Sequence, residues 1–367
     1  MAVFENRIAF VTVQGIRAFL RVQAGVTRDG TAESTHGPGA LKSDGASVRN
    51  NTRIQRFKEA GSRLVRKGWA LRARGRHRTS GEEPDGIRPE NMVWIFATAR
   101  TGSTWLADMM GAMKNQTIWR EPLVGALFGN LYYDRAEHRI GKKGKHYILG
   151  RDYADSWLNS IRTFVLNEAT ARFPEAAGPD NYLVIQEPNG SIGAPLLMEA
   201  LPESRMILLI RDPRDVAASS MDARRKGGWH YVNRNKGDQQ RETLSDKDPD
   251  AFIKWRANSY LKVISKAKQA FDSHRGRKVL VRYEDLRADT LGEMKRIYST
   301  LEIPVDEKKL ARAVDKHSWE NIPEEKKGEG KFYRKATPGG WQEDLTPEQA
   351  QIVERITAPL LNEFYTA

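Results

Sequence analysis

From Asn91 onward, short apolar runs alternate with stretches whose apolar residues recur at helical spacing. An unbroken apolar run of four to six residues is typical of a strand covered on both faces. The predicted strands are Met92–Ala97, Tyr182–Gln186, Arg205–Ile210 and Lys278–Val281. The predicted helices are Ser103–Met113, Ile192–Leu201, Pro213–Ala223, Asp250–Phe271, Asp289–Leu301, Asp306–Val314 and Pro347–Phe364. Because such alternation requires crossover connections, it predicts a three-layer α/β fold with a mostly parallel sheet flanked by helices.

Residues 1–90 follow a different pattern. Residues 29–52 are rich in Gly, Ser, Thr and Asn and lack periodic apolar positions, which predicts a linker or a disordered segment. Apolar residues then recur at helical spacing, which predicts an amphipathic helix at about 53–74, and a second linker follows at 79–90. We therefore expect a partly disordered N-terminal extension (1–90) and one large domain (91–367).

The net charge of +13 is concentrated in this extension. Residues 1–78 contain 16 Lys and Arg against five Asp and Glu, whereas the other 289 residues are nearly balanced. A balanced main domain argues against a nucleic-acid partner. Residues 53–78 contain ten Lys and Arg and one Glu. They predict either a solvated basic helix that packs on its own domain or a surface that touches anionic lipid.

The chain contains no cysteine, which excludes a disulfide framework, a zinc–thiolate site, an iron–sulfur centre and a thiol nucleophile. No run approaches the roughly 18 apolar residues of a membrane-spanning helix. The first residues lack a basic start followed by a clean apolar core, so we do not expect a signal peptide. These features predict a cytoplasmic protein, with peripheral membrane contact if residues 53–78 bind lipid.

The segment 92–110 predicts an anion-binding loop. An apolar strand runs into the sequence TARTGST and then into a helix. The start of a helix presents unpaired backbone N–H groups and the positive end of the helix dipole. Gly102 permits close approach of the backbone, Ser103 and Thr104 add hydroxyl groups, and Arg100 adds a forked cation.

The same loop also has a simpler interpretation, an ordinary helix N-cap by Ser103 or Thr104. It is not a Walker A loop, because the pattern GxxxxGK[ST] is absent. An Mg-dependent NTPase is therefore disfavoured.

A second candidate anion site lies in the segment 205–220. A strand ends in Arg211, a turn follows, and Ser219 lies eight residues further on in a predicted helix. Open α/β sheets bind ligands at the carboxyl ends of their strands, where Arg211 is expected. Alternatively, Arg211 simply forms an ion pair with Asp212 or Asp215.

Together the two segments resemble the phosphate-binding signatures of the sulfotransferases that use 3′-phosphoadenosine-5′-phosphosulfate (PAPS). The pattern [KR]-x-G-[ST]-[ST] is similar to their 5′-phosphosulfate loop, with Arg100 at the basic position. The Arg-x7-Ser pattern, matched by Arg211 and Ser219, is similar to their 3′-phosphate site. The resemblance implies a P-loop-NTPase-like fold and a metal-free transfer of a sulfuryl group to a hydroxyl or amine, leaving 3′-phosphoadenosine-5′-phosphate (PAP).

The resemblance extends to the residues expected around the adenine. The segment VRYEDL (281–286) is similar to a strand-end element that implies Tyr283 beside the base, and KHSWENI (316–322) is similar to one that implies Trp319. Trp105 follows the loop, where the family's Trp stacks on the base. Base stacking is typically worth ~1–3 kcal/mol.

The segment FYRKATPGGWQEDLTPEQ (332–349) is similar to the family's C-terminal F-x-R-K-G-x-x-G-x-W stretch. It implies that Arg334 and Lys335 grip the 3′-phosphate, with Ala336 in place of the usual Gly. The resemblance covers Met92 to the C-terminus. The implied nucleotide-binding residues are Arg100, Thr101, Gly102, Ser103, Thr104, Trp105, Arg211, Ser219, Tyr283, Trp319, Arg334 and Lys335.

Two carboxylates compete for the role of general base, which must take the proton of the acceptor. Glu121 follows a short predicted strand, and its Glu-Pro pair resembles the carbohydrate and tyrosyl-protein branch of the family. Glu187 follows another strand, next to Gln186, where related sequences often have Lys. His146 and His230 are weaker candidates. The expected catalytic residues are Glu121, Arg100 and Glu187.

Residues 224–248 are polar and predict a long structureless loop, a lid or gate that helps to define the acceptor. The acceptor is expected to be a carbohydrate, a lipid or another hydroxyl compound. Two other functions remain open at this point. One is a small-molecule kinase with a degenerate phosphate loop, and the other is a non-catalytic protein that binds anionic surfaces through residues 53–78.

Overall fold

In the computed structural model, residues 86–135, 145–234 and 242–365 are described. The helix predicted at about 53–74 lies outside the described residues, as does most of the predicted extension. Among the described helices, none is long and apolar enough to cross a bilayer.

Five parallel strands form one sheet in the order β2-β3-β1-β4-β5. The strands are β1 (Met92–Phe96), β2 (Gln116–Arg120), β3 (Tyr182–Gln186), β4 (Arg205–Ile210) and β5 (Lys278–Arg282). The four strands predicted from apolar runs match within one residue. The fifth, β2, is the short strand expected before Glu121.

The order of the strands creates a crevice beside β1. From β1 the chain moves two positions to one side, to β2, and returns through β3 before it crosses to β4 on the other side. The register aligns the strand ends, because Arg120 pairs with Gln186 and Ile210 pairs with Arg282. Ligands of open α/β sheets bind outside the carboxyl ends of the strands at such a reversal.

Helices cover both faces of the sheet. They are α1 (Ser103–Gly111), α2 (Val124–Gly129), α3 (Ala154–Arg172), α4 (Ala194–Ala200), α5 (Pro213–Arg224), α6 (Trp229–Arg234), α7 (Leu244–Lys247), α8 (Pro249–Ser273), α9 (Tyr283–Ala288), α10 (Thr290–Thr300), α11 (Glu307–Lys316), α12 (Trp341–Asp344) and α13 (Pro347–Phe364). A π-helix, Asn130–Arg135, continues α2. Short 3-10 turns are Pro89–Asn91, Arg151–Tyr153, Pro174–Ala176, Ser191–Gly193 and Glu324–Lys326.

Alternating residues of the central strand build two separate hydrophobic cores, because successive side chains of a strand point to opposite faces. Trp94 and Phe96 pack with residues of α3, α4, α8 and α13. Val93 and Ile95 pack with residues of α1, α10 and α11. The three-layer α/β architecture predicted from the sequence is therefore confirmed.

The structure also corrects two predictions. Each predicted helix lies within two residues of an observed one, but α3, a helix of 19 residues, was not predicted. Residues 224–248 are not structureless, because they contain α6 and α7. Thr243 caps α7, and buried Tyr231 anchors α6. Residues 235–241 lie outside the described part of the chain.

Candidate functional site

A cavity of about 580 Å³ opens at the carboxyl edge of the sheet. The segment after each of the five strands contributes a residue to the wall of this cavity. These residues are Arg100, Glu121, Pro188, Arg211 and Tyr283. Helices α5 and α8 and a C-terminal segment, 332–344, supply most of the remaining wall. The sheet topology thus brings together segments that lie far apart in the sequence.

The loop after β1 presents backbone donors to this cavity. Arg100 and Gly102 both have positive φ, 73° and 89°. A Cβ atom at Gly102 would lie 2.7 Å from Cδ2 of Tyr283, so only glycine fits there. The first turn of α1 closes with Leu106 N donating to Gly102 O at 3.1 Å. The N–H groups of the residues between them have no intrahelical acceptor and are free to bind an anion.

Gln186 organises the hydroxyl groups of this loop. Its Nε2 donates to Ser103 Oγ at 3.1 Å and to Thr104 Oγ1 at 3.0 Å. Because both oxygens accept, the hydroxyl hydrogens are left to bond a ligand. Thr101 behaves differently, since it is fully buried and donates to Thr98 O at 2.7 Å. Its side chain therefore closes the loop from behind.

Arg100 connects three segments. Its Nε donates to Ser219 Oγ at 3.0 Å, and its Nη2 donates to Phe332 O at 2.8 Å. Its Cζ lies 5.2 Å from the ring centre of Phe332 and 5.5 Å from that of Trp229. Burial, and then the nearby Arg211, lower the pKa of Arg100 to about 10, so it remains a cation at neutral pH.

Arg211 is a buried cation with spare bonding capacity. Its side chain is only 12% exposed, stacks 4.3 Å from the ring centre of Tyr283 and donates to Arg100 O at 3.2 Å. It also lies 3.6 Å from Asp215 Oδ2, so the ion pair considered from the sequence is present. Its Nε is buried without a hydrogen-bond partner among the described residues. Such an orphaned donor suits an incoming anion.

The C-terminal cations already have carboxylate partners. Arg334 Nη2 is paired with Asp344, and its Nε lies 3.7 Å from Asp222 Oδ2. Lys335 Nζ lies 2.8 Å from Glu343 Oε2 and 3.0 Å from Asp344 Oδ1.

Ala336, where the family pattern has Gly, adopts a left-handed conformation with φ of 53°. Arg287 Nε donates to Ala336 O at 3.1 Å. A non-glycine residue in this region is strained, so the surrounding contacts have to hold the conformation.

Aromatic rings flank the loop. Trp105 and Tyr283 meet edge to face at 6.2 Å, and Trp105 Nε1 donates to His317 O at 2.7 Å. Arg287 lies 5.5 Å from the ring centre of Trp105. Trp319 lines the same cavity. The arrangement provides apolar faces for a flat group beside the two anion sites.

Glu121 faces the cavity from a strained turn. Its φ is 45°, its N–H donates to Gln186 O at 2.8 Å, and its side chain is exposed. Oε2 accepts from Asn189 Nδ2 at 2.8 Å. The other carboxylate oxygen is therefore available to a substrate.

Glu187 is directed elsewhere. It is 0% exposed, and its two oxygens accept from Leu123 N and Gly125 N at 3.0 Å each. Gly125 packs so closely that a Cβ atom there would lie 2.1 Å from Gly190 O. Burial raises the pKa of Glu187 to about 7 against the effect of these bonds. Glu187 thus anchors the start of α2 and, with it, the turn that carries Glu121.

The two histidine candidates differ in position. His230 lines the cavity, and burial followed by repulsion from Arg224, Arg234 and Arg100 lowers its pKa to about 4. His146 is exposed, and the described residues that line the cavity do not include it.

A family model for the sulfotransferase domain matches residues 90–365 of the chain. The chain belongs to the sulfotransferase family. The resemblance inferred from the motifs is therefore confirmed, and the kinase and non-catalytic alternatives are disfavoured. Among curated relatives, cytosolic sulfotransferase 12 of Arabidopsis thaliana is 24% identical over 243 residues, which cover 54% of this chain and 72% of the relative.

Two solved sulfotransferase structures are similar to the chain at low identity. Mouse sulfotransferase SULT7A1 complexed with PAP is 14% identical over 74% of this chain and 85% of its own, with a TM-score of 0.46. Sulfotransferase STF9 from Mycobacterium avium is 14% identical over 76% of this chain and 78% of its own, with a TM-score of 0.45.

In this sulfotransferase, most of the residues singled out from the sequence share one cavity. The wall contains Arg100, Gly102, Ser103, Thr104, Trp105, Glu121, Arg211, Ser219, His230, Tyr283, Trp319, Arg334 and Lys335. The lining formed by the described residues does not include Thr101 or Glu187. Within the same residues, no group of three or more potential metal ligands occurs.

Sequence reasoning missed Arg256. It lies on α8, is 6% exposed and lines the cavity. Its Nε donates to Ser220 Oγ at 2.9 Å, and its Nη2 donates to Thr98 Oγ1 at 3.2 Å and Ala99 O at 2.9 Å. Its spacing in the sequence could have identified it. Arg256 lies at four-residue intervals with the apolar residues Phe252, Tyr260 and Ile264, on a helix face that is expected to be buried, and an arginine is unusual on such a face.

The raised pKa of Glu187 predicts a pH-dependent stability. A carboxyl whose pKa is about 7 when folded and 4.5 when unfolded contributes most stability below pH 4.5, and that contribution is lost as the pH rises to about 7. The loss should reach about 3 kcal/mol. We expect the unfolding free energy of wild type, relative to Glu187→Gln, to fall between pH 5 and pH 8 in denaturant titrations. Exposed Glu199→Gln is the matched control, and parallel curves for wild type and Glu187→Gln would contradict the assignment.

Proposed function

We propose that the protein transfers a sulfuryl group from PAPS to a hydroxyl or amine of an acceptor, without a metal. The observation that supports this most is the convergence of two anion sites and an aromatic slot in one cavity. PAPS has the matching chemistry, with phosphates at both ends of an adenosine. One feature fits it specifically: the Nε of Arg211 is buried without a hydrogen-bond partner among the described residues.

The cationic and aromatic residues of the cavity can be assigned to three parts of PAPS. Arg100, Gly102, Ser103 and Thr104 would hold the 5′-phosphosulfate, with Thr101 shaping the loop from behind. The residues for the 3′-phosphate would be Arg211, Ser219, Arg334 and Lys335. The residues around the adenine would be Trp105, Tyr283 and Trp319.

Glu121 is the proposed general base. It accepts the proton of the acceptor hydroxyl while the acceptor oxygen forms a bond to sulfur and the bond from sulfur to the phosphate oxygen breaks. Arg100 and the two loop hydroxyls stabilise the charge that develops on the leaving PAP. The exposed position of Glu121 on the cavity wall supports its role as the base, whereas the buried contacts of Glu187 support a structural role. The low pKa of His230 makes it a weak base.

Cofactor affinity tests the 3′-phosphate assignment. Arg211→Ala removes a charge-assisted bond, which typically costs ~1.5–3 kcal/mol, or roughly 10- to 150-fold in affinity. Calorimetry should register this loss for PAP but almost none for adenosine 5′-phosphosulfate, which lacks the 3′-phosphate. Arg277→Ala, which breaks an exposed ion pair with Glu302, is the control. An equal loss for both nucleotides would exclude this role for Arg211.

The turnover rate tests the base. Glu121→Gln keeps the shape and removes the ability to accept a proton, so kcat should fall by about 10²- to 10⁴-fold while the PAP affinity stays near wild type. Glu187→Gln should cost less in rate. Sulfation of an acceptor, or the slow hydrolysis of PAPS, supplies the readout. A wild-type rate for Glu121→Gln with an inactive Glu187→Gln would reverse the two roles.

The basic extension, 1–90, is proposed to be separate from the catalytic domain, 91–367, in a cytoplasmic protein. None of the matched motifs lies in residues 1–78, which hold most of the net charge. Deleting residues 1–78 should leave PAP affinity intact and weaken binding to phosphatidylserine-containing vesicles in a flotation assay. A truncated protein that fails to fold would place these residues in the core.

A further inference from the structure

One side of the cavity contains cations that the proposed transfer does not use. It is formed by the end of α5, by α6 and by α8, and it includes Arg224, His230, Trp255 and Arg256. The proposed nucleotide-binding residues lie on other segments, apart from Ser219 on α5. This side of the cavity is therefore open to the acceptor.

Arg256 is a buried cation with only neutral partners. Its hydrogen bonds go to two hydroxyl oxygens and one carbonyl oxygen, of Ser220, Thr98 and Ala99. No carboxylate among the described residues lies within ion-pair distance of it. Burial lowers its pKa to about 10, and nearby Arg224 and Arg100 act in the same direction. A buried charge without a counter-charge is costly, and an anion entering the cavity would offset that cost.

Arg224 adds a second uncompensated cation. Its guanidinium carbon lies 5.1 Å from the ring centre of Trp255. Burial and repulsion from Arg234 lower its pKa, and no described carboxylate pairs with it. The pKa of His230 is lowered by burial and then by repulsion from nearby cations, of which Arg224 has the largest effect. This shift agrees with a positive electrostatic potential around Arg224.

Three cations on the nucleotide side of the cavity have carboxylate partners. Arg211 is paired with Asp215, and Arg334 is paired with Asp344. Lys335 also has carboxylate partners. Arg100 has only a hydroxyl and a carbonyl as partners, but it would be neutralised by the phosphosulfate assigned to it. Bound PAPS would therefore leave Arg224 and Arg256 on the acceptor side without a counter-charge.

We propose that the acceptor is itself an anion, a hydroxyl compound that carries a carboxylate, phosphate or sulfate group bound by Arg224 in the field of Arg256. This inference rests on the proposed function, because it assigns the substrate class of the same site. Arg224 is the contacting residue because it is the less buried of the two. Trp255, which is exposed, offers a flat face for the body of the acceptor.

Matched pairs of compounds test the charge preference on the full-length protein saturated with PAP, which occupies the nucleotide sites. The pairs are 4-nitrophenyl β-glucoside with 4-nitrophenyl β-glucuronide, glucose with glucose 6-phosphate, and N-acetylglucosamine with its 6-sulfate. Calorimetry should give at least one anionic member an affinity roughly 10-fold or more above that of its neutral partner, as expected for a charge-assisted bond. The pair that responds identifies the anionic group.

Arg224→Gln should abolish this advantage, and Arg224→Lys should restore part of it. Lys254→Gln, which removes an exposed charge on α8 outside the cavity wall, should leave the advantage intact. The proposal is overturned if no anionic member binds better than its neutral partner. It is also overturned if Arg224→Gln weakens PAP binding and leaves the ratio of anionic to neutral compound affinity unchanged, because the cations would then bind the nucleotide. Failure of the wild-type protein to bind PAP at all would instead defeat the proposed function.

Discussion

The site depends on the need to satisfy one partly buried cation. The guanidinium of Arg100 is held by a hydroxyl on α5 and by the carbonyl of Phe332, and its own carbonyl accepts from Arg211. A guanidinium that is partly withdrawn from water and lacks such acceptors would be unfavourable. The loop after β1, the helix after β4 and the C-terminal segment therefore meet at this side chain, and their meeting creates the cavity.

Two consecutive residues at the end of β3 hold two different parts of the structure. Gln186 faces the loop and holds the hydroxyls of Ser103 and Thr104, whereas Glu187 faces the scaffold and holds the start of α2. Side chains at successive positions of an extended chain point in opposite directions, so the two adjacent residues serve two different structures. Gln186 O also accepts from Glu121 N, which places the exposed carboxylate relative to the hydroxyls.

The elements predicted correctly have strong local signals. Apolar runs identified the strands, and the loop after β1 is a contiguous motif whose residues act together. Glu121 and Glu187 could not be distinguished in this way, because both stand before Pro after a strand, and only the packing of α2 determines which is buried. Arg256 was missed because its partners include Thr98 and Ala99, which lie far away in the sequence. Helix α3 was missed because its buried face is a narrow stripe that ends in alanine, Trp157, Ile161, Val165 and Ala169.

The carboxylates around Arg334 and Lys335 have a consequence for the release of product. A dianion bound by Arg334 and Lys335, as proposed above, would have to displace Asp344 and Glu343, so its net gain would be the difference between two ionic pairings. When the spent nucleotide departs, the same carboxylates would return to the cations, and no bare charge would be exposed. Such re-pairing would favour the emptying of the site, and product release limits the rate of many enzymes.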